Sequence, residues 1–141
     1  MAPNAALTDH QGHPATLVVR GGSTVVVDFF ATWCGPCHAA LAALNDIARE
    51  RATQVRLVVI AVGEEPAIVD AFFASHPLPA NAIVLFDRDG SAARAWGQHR
   101  FPTTFLVGSD NVIRFINRGY GEGYPARVRR WLDRMLVPNA P

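Results

Sequence analysis

Residues 25–38, VVVDFFATWCGPCH, decide the reading of this chain. Val25–Phe30 is a β-branched and aromatic run, the composition of a strand buried on both faces. It holds one acid, Asp28, flanked by Val25–Val27 and by Phe29 and Phe30. A buried carboxyl without a partner costs several kcal/mol to ionise, so an acid here is either protonated or functional. From Cys34 the period changes. Cys37, Leu41, Leu44 and Ala48 recur at helical spacing with Ile47 beside them, and the pattern fades at Arg49-Glu50-Arg51. Both cysteines of the chain therefore stand where a buried strand hands over to a helix.

That position has chemical consequences. The first turn of a helix offers unpaired N–H groups and the positive end of the dipole. A thiolate at Cys34 is stabilised there, its pKa falling from ~8.5 toward ~7 or below as in other Cys-x-x-Cys helix starts. Cys37, one turn further in, can reach Cys34 to close a disulfide and is expected to be the more buried. The spacing thus suggests that Cys34 attacks and Cys37 resolves. Pro36 suits a first helical turn, where its missing N–H is not needed. Trp33 beside the pair favours exposure over an inert structural disulfide.

Outward from this core, residues 1–14 are polar and turn-rich and are expected to be extended. TLVV (16–19) reads as a short strand and Gly21-Gly22-Ser23 as a turn. VRLVVIAV (55–62) is a second buried strand. Pro66 opens a helix with Ile68, Val69, Phe72 and Phe73 on its apolar face, ending near His76-Pro77. AIVLF (82–86) is a third strand, Asp87–Gly90 a turn and SAARAWG (91–97) a short helix. TTFLVG (103–108) and VIRFINRG (112–119) are joined by Ser109-Asp110-Asn111, a hairpin connection. Tyr124, Val128, Trp131, Leu132, Met135 and Leu136 make the stripe of a last helix, with Arg127, Arg129, Arg130 and Arg134 on its wet face. Strands alternating with helices imply parallel pairs with crossovers, and the hairpin adds antiparallel pairing. The expectation is an α/β protein, one domain over 1–141, with a mixed central sheet covered on both faces.

Composition narrows the chemistry. The 141 residues contain thirteen arginines and no lysine, which excludes Schiff-base catalysis and a P-loop lysine. Residues 1–85 carry four Arg and seven acids, a balance of −3; residues 86–141 carry nine Arg and five acids, +4. Neither half has the field that nucleic-acid binding needs, so no nucleic-acid partner is expected. The first fifteen residues lack a positive n-region followed by an apolar h-region. No stretch reads as a transmembrane helix: the longest uncharged run, Phe29–Asn45, is broken by WCGPCH.

VVVDFFATWCGPC followed by a helix, and FPTTFLVG some 65 residues later, resemble the thioredoxin superfamily over roughly residues 16–137. The insertion at 63–81, GEEPAIVDAFFASHPLPAN, and the opening LTDHQGHPATL are similar to the TlpA/ResA-like branch of thiol–disulfide reductases. The resemblance implies a thioredoxin-like fold with a βα insertion before the strand that follows a cis-proline, Pro102. It implies that Cys34 and Cys37 cycle between dithiol and disulfide and that Asp28 is the buried acid–base group. Trp33, Gly35, Pro36, Phe101, Pro102 and Thr103 would form the substrate surface, with Gly119 leaving room beside Pro102. Phe101 is bulky for its place and would narrow the groove or favour an apolar residue in the partner. At Ala40 the chain lacks the Glu that many members of the branch carry, which leaves the acid–base role to Asp28. The implied partners are a disulfide-bearing protein and an upstream dithiol reductant, with no metal or organic cofactor, in a monomer. The branch implies an extracytoplasmic site, the bacterial periplasm, with any membrane anchor outside this sequence, and service in cytochrome c maturation and electron transport; the alternative is the cytoplasm.

Competing patterns exist. Cys34-Gly-Pro-Cys37-His38 satisfies the c-type haem attachment motif, although small haem domains are mostly helical and this motif follows a strand. A haem-bearing electron carrier predicts a Soret band after expression with attachment machinery. Cys34, Cys37 and His10 or His13 could bind zinc only in a fold that brings them together. A non-catalytic binding module predicts a cysteine pair that dithiothreitol and oxidant cannot cycle. His38 is expected to be an exposed first-turn residue, His76 and His99 surface residues, and Glu64-Glu65 a solvated helix start.

Overall fold

The computed structural model describes residues 1–17, 23–98 and 100–136. In chain order the elements are β1 (Leu7–Thr8), β2 (Pro14–Ala15), β3 (Thr24–Phe30), α1 (Gly35–Glu50), β4 (Val55–Val62), α2 (Pro66–Ser75), β5 (Ala82–Asp87), α3 (Ser91–Ala95), β6 (Thr103–Val107), β7 (Ile113–Arg118) and α4 (Tyr124–Leu136). They build one seven-stranded sheet in the order β2-β1-β5-β4-β3-β6-β7. The apolar run of β3 makes it the inner strand: every position is buried. It pairs parallel with β4 and antiparallel with β6, the mixed sheet expected from the order of elements.

Strand alternation assigns the residues of β3 to two faces. Val26 and Phe30 pack with Leu41, Leu44, Ile47 and Ala48 of α1 and with Val128 and Leu132 of α4; Phe72 and Phe73 of α2 lie against the same cluster. Val25, Val27 and Phe29 pack on the other face with Ala92, Ala93 and Trp96 at α3 and with Leu7. The helical stripe read from Cys37 to Ala48 is buried throughout, so the periodicity identified the inward face of α1 correctly. On α4 Tyr124, Val128 and Leu132 are buried, and Trp131 stacks on Phe115 of β7 with ring centroids 4.9 Å apart.

Several local expectations change. The expected strand at 16–19 is not in the sheet at residues 16 and 17, and its remainder lies outside the described residues, as do Gly21-Gly22 and His99. The N-terminal pairing occurs earlier, where β1 and β2 form a small hairpin around a turn at 10–12 and β1 joins β5 through Thr8 and Phe86. Segments this short have no periodicity to read. Ile68 is more than half exposed; Val69 is the fully buried residue of α2, against Ala61 and Phe86, and Phe72 and Phe73 are half-buried. The arginines of α4 do more than face water. Arg129 pairs with Glu50 at 2.7 Å and Arg127 hydrogen-bonds Asn117 at 2.9 Å, tying α4 to α1 and to β7. No helix among the described residues is long and apolar enough to cross a membrane.

Candidate active site

Cys34 is the N-cap of α1, in extended backbone at φ −93°, ψ 108°. Its Sγ accepts a hydrogen bond from the Cys37 amide at 3.2 Å, using one of the donors that a helix start leaves free. Gly35 and Pro36 fill the first turn, and Cys34 and Cys37 are joined by a disulfide with Cα atoms 5.2 Å apart. Cys37 is wholly buried, whereas Cys34 keeps 5% of its surface, less than a freely exposed nucleophile would show. The bond to Cys37 and the cover of the surrounding cluster account for this, while Trp33, Gly35, Pro36 and His38 ring the pair on the outside.

The loop leading into Cys34 is held from two sides. Glu64, at the end of β4, accepts hydrogen bonds from the Thr32 amide (2.7 Å) and from the Thr32 hydroxyl. His38 Nε2 meets the Thr32 carbonyl at 2.7 Å. Glu64 is therefore a clamp on the active-site loop rather than a solvated helix start; a contact between residues 32 apart leaves no mark in a sequence pattern. Glu65 does sit at the start of α2, as its N-cap, and pairs with Arg88. His38 is exposed with its ring tilted against Phe72, and His76 stacks on the same ring.

The second wall comes from β6 and β7. The Phe101–Pro102 peptide is cis, as the resemblance implied. The Gly119 amide donates to the Pro102 carbonyl at 2.6 Å. Gly119 has φ +84°, where a side chain is strained, and a Cβ there would lie 3.2 Å from the Arg100 guanidinium. Phe101, half-buried, meets the exposed Trp33 edge-on with ring centroids 5.3 Å apart, so an aromatic pair flanks the disulfide. Thr103 is fully buried and its hydroxyl donates to the Arg100 carbonyl, so its side chain faces no groove. Ala40 is buried against the cysteine cluster.

Asp28 is completely buried, and among the described residues neither of its oxygens has a hydrogen-bond partner. By alternation its side chain shares the face of Val26 and Phe30, beneath α1 and the cysteines. Burial holds its carboxyl well above the usual carboxylate range, and the Thr104 hydroxyl opposes that shift only in part. Thr104 faces Asp28 across β3 and β6, and its Oγ1 lies 2.7 Å from Tyr124 Oη. Burial is thus the main influence on Asp28, and no arginine or histidine contributes to its shift. Tyr124 had registered in the sequence only as one more member of an apolar stripe. Among the described residues no three His, Cys, Asp or Glu side chains converge on a common point.

The Redoxin family profile matches residues 1–129. The thiol-disulfide oxidoreductase ResA of Geobacillus kaustophilus is 29% identical over 119 residues, covering 84% of this chain and 67% of that protein. ResA of Bacillus subtilis is 30% identical over 113 residues, 79% of this chain and 62% of the relative. Thioredoxin of Mycobacterium tuberculosis is 44% identical over 80 residues, 57% of this chain and 66% of its own length. Among solved structures, a Chlorobium tepidum chain provisionally named thiol:disulfide interchange protein DsbE superposes with a TM-score of 0.84 at 26% identity, over 96% of this chain and 94% of its own. The exposed lipoprotein thioredoxin Etrx1 of Streptococcus pneumoniae shares the fold, with a TM-score of 0.74 at 22% identity over 94% and 99% of the two chains. With a thioredoxin-like fold, a Cys34–Cys37 pair at the head of a helix and these relatives, the chain belongs to the Redoxin family, as a thiol–disulfide oxidoreductase.

Proposed function

We propose that the protein reduces disulfides in other polypeptides, with Cys34 as nucleophile, Cys37 as resolving thiol and Asp28 as base. One observation carries this reading: the Cys34–Cys37 disulfide caps α1, which packs on the face of β3 to which alternation assigns the buried, unpartnered carboxyl of Asp28. In the reduced protein the Cys34 thiolate attacks one sulfur of the substrate disulfide. A Cys34–substrate mixed disulfide forms, and the other substrate sulfur leaves as thiolate and takes a proton from water. Cys37 then gives its proton to Asp28, attacks Cys34 Sγ and expels the second substrate thiol. Two electrons have passed to the substrate, and the Cys34–Cys37 disulfide remains. A dithiol donor restores the pair by the same exchange in reverse.

Trp33, with Phe101 edge-on against it, supplies an apolar contact beside the reacting sulfurs, with Gly35, Pro36, Pro102 and the Thr103 backbone forming the rest of the surface. This favours a substrate segment with an apolar residue next to its cysteine. The branch resemblance favours work outside the cytoplasm. Cytochrome c maturation is a service that the branch resemblance implies, and Ala40 in the place of the branch's Glu counts against a chain dedicated to it.

Cys37→Ser should accumulate a mixed disulfide with substrate, seen as a dithiothreitol-sensitive adduct, and Cys34→Ser should lose insulin-disulfide reduction. Retained turnover in Cys34→Ser sinks the mechanism. A reduction potential near roughly −270 mV supports a reductant, whereas one near roughly −120 mV reverses the direction of electron flow.

A further inference from the structure

Asp28, Thr104 and Tyr124 are all wholly buried, on three different elements. Asp28 and Thr104 are register partners on β3 and β6, and Tyr124 opens α4 within the cluster that contains Cys34 and Cys37. Thr104 Oγ1 and Tyr124 Oη are 2.7 Å apart, and either can donate. We infer that these two hydroxyls form a reversible donor chain that tunes Asp28, taking the place of a charged side chain; this rests on Asp28 being the base of the proposed cycle.

Neither Asp28 oxygen is hydrogen-bonded in the oxidised protein, so the chain closes by a small approach of the Asp28 and Thr104 side chains, register partners on adjacent strands, and by the turning of two O–H bonds. When Asp28 is ionised, Thr104 donates to it while Tyr124 donates to Thr104. When Asp28 has taken the proton of Cys37, its own O–H can donate to Thr104 Oγ1, and the Thr104 proton turns to Tyr124. Hydroxyls suit both states because each is donor and acceptor, which an ammonium or a guanidinium is not. Linked hydrogen bonds also strengthen one another in a dry interior. Among the described residues, Thr104 on β6 is the register partner of Asp28, Tyr124 on α4 feels its charge, and Cys37 on α1 belongs to the cluster packed on the same sheet face, while the β4 register partner is the apolar Val59. Arg127 and Tyr120 act on Tyr124 rather than on Asp28. Burial, and after it the Asp28 charge, push the Tyr124 phenol upward, so it stays protonated and available as a donor.

The test follows the Asp28 carboxyl by carbon-13 NMR in the reduced full chain, alongside the pH–rate profile of disulfide reduction. Thr104→Val should raise the Asp28 midpoint by about one to two pH units, the size of a lost hydrogen bond to a charged group. Tyr124→Phe should raise it by less, and Thr104→Ser should restore the wild-type midpoint. The rate profile should move with the midpoint. Tyr124→Phe keeps the ring in place and gives the answer even where Thr104→Val does not fold. An Asp28 midpoint unmoved in Tyr124→Phe and Thr104→Val, with only stability reduced, overturns the inference. A pH–rate profile unchanged in Asp28→Asn removes the base role instead, while the carbon-13 titration still decides the donor chain.

Discussion

Asp87 closes β5, and its buried carboxylate accepts from the amides of Ala92 (3.0 Å) and Ala93 (2.8 Å). Those amides belong to the first turn of α3, whose own N-cap, Gly90, has no side chain to offer. One residue thus ends a strand and satisfies the start of the next helix. Asp87→Ala leaves two buried donors without partners and should cost about 2–3 kcal/mol by urea denaturation, whereas Asp87→Asn keeps one acceptor and should cost about half of that. Equal losses in the two variants would mean that the carboxylate charge, not its two acceptors, matters. In the sequence Asp87 was visible only as the start of a turn, because its partners lie five and six residues on, in a helix too short to show a period. Asp28 was easier to read. One acid within an apolar run is anomalous by itself, and the structure leaves it as isolated as the run implied.

At the scale of elements, the readable parts are those with a repeated pattern. The inward face of α1, the strands β3 and β4, the β6–β7 hairpin and the stripe of α4 each recur often enough to declare a period. The two-residue strands β1 and β2 and the Glu64–Thr32 clamp do not recur, since each depends on a single pairing. The α4 seam shows what the pattern understates. Trp131 lies flat on Phe115 of β7, with the Arg127 guanidinium 5.9 Å from the Trp131 ring centroid. Trp131→Ala should lower stability by about 2–3 kcal/mol, less than the ~3–5 kcal/mol of a fully buried aromatic. The denaturant slope should stay unchanged, since the compactness of neither end state alters. A loss below ~1 kcal/mol would make the stack incidental to the docking of α4.

For the molecule as a whole, the cost of holding Asp28 dry appears as a pH dependence. Its carboxyl titrates well above the range it has in an unfolded chain. Between those two values the folded protein holds a proton that the unfolded chain has released. The stability associated with that proton is complete below the unfolded value, ~3.9, and is lost as pH rises toward the folded one. Asp28→Asn has no proton to lose. Thermal midpoints of the oxidised proteins should therefore separate steadily as pH rises from the carboxylate range, with Asp28→Asn increasingly the more stable. A constant difference across that range would mean that Asp28 is not held protonated. In the proposed cycle the function thus works against the fold: the group given the proton transfer is one the core would be steadier without.

The small N-terminal hairpin has a role beyond finishing the sheet. An open sheet presents unpaired amides and carbonyls along both rims, where a further strand can add. Here one rim ends in strands of two residues. The other is β7, which displays Arg114 and Arg118 and meets β6 with a register shift at Leu106 and Val107. Among the described residues neither rim offers a long, flat, uncharged template, which disfavours strand addition between copies of a protein that works on disulfides.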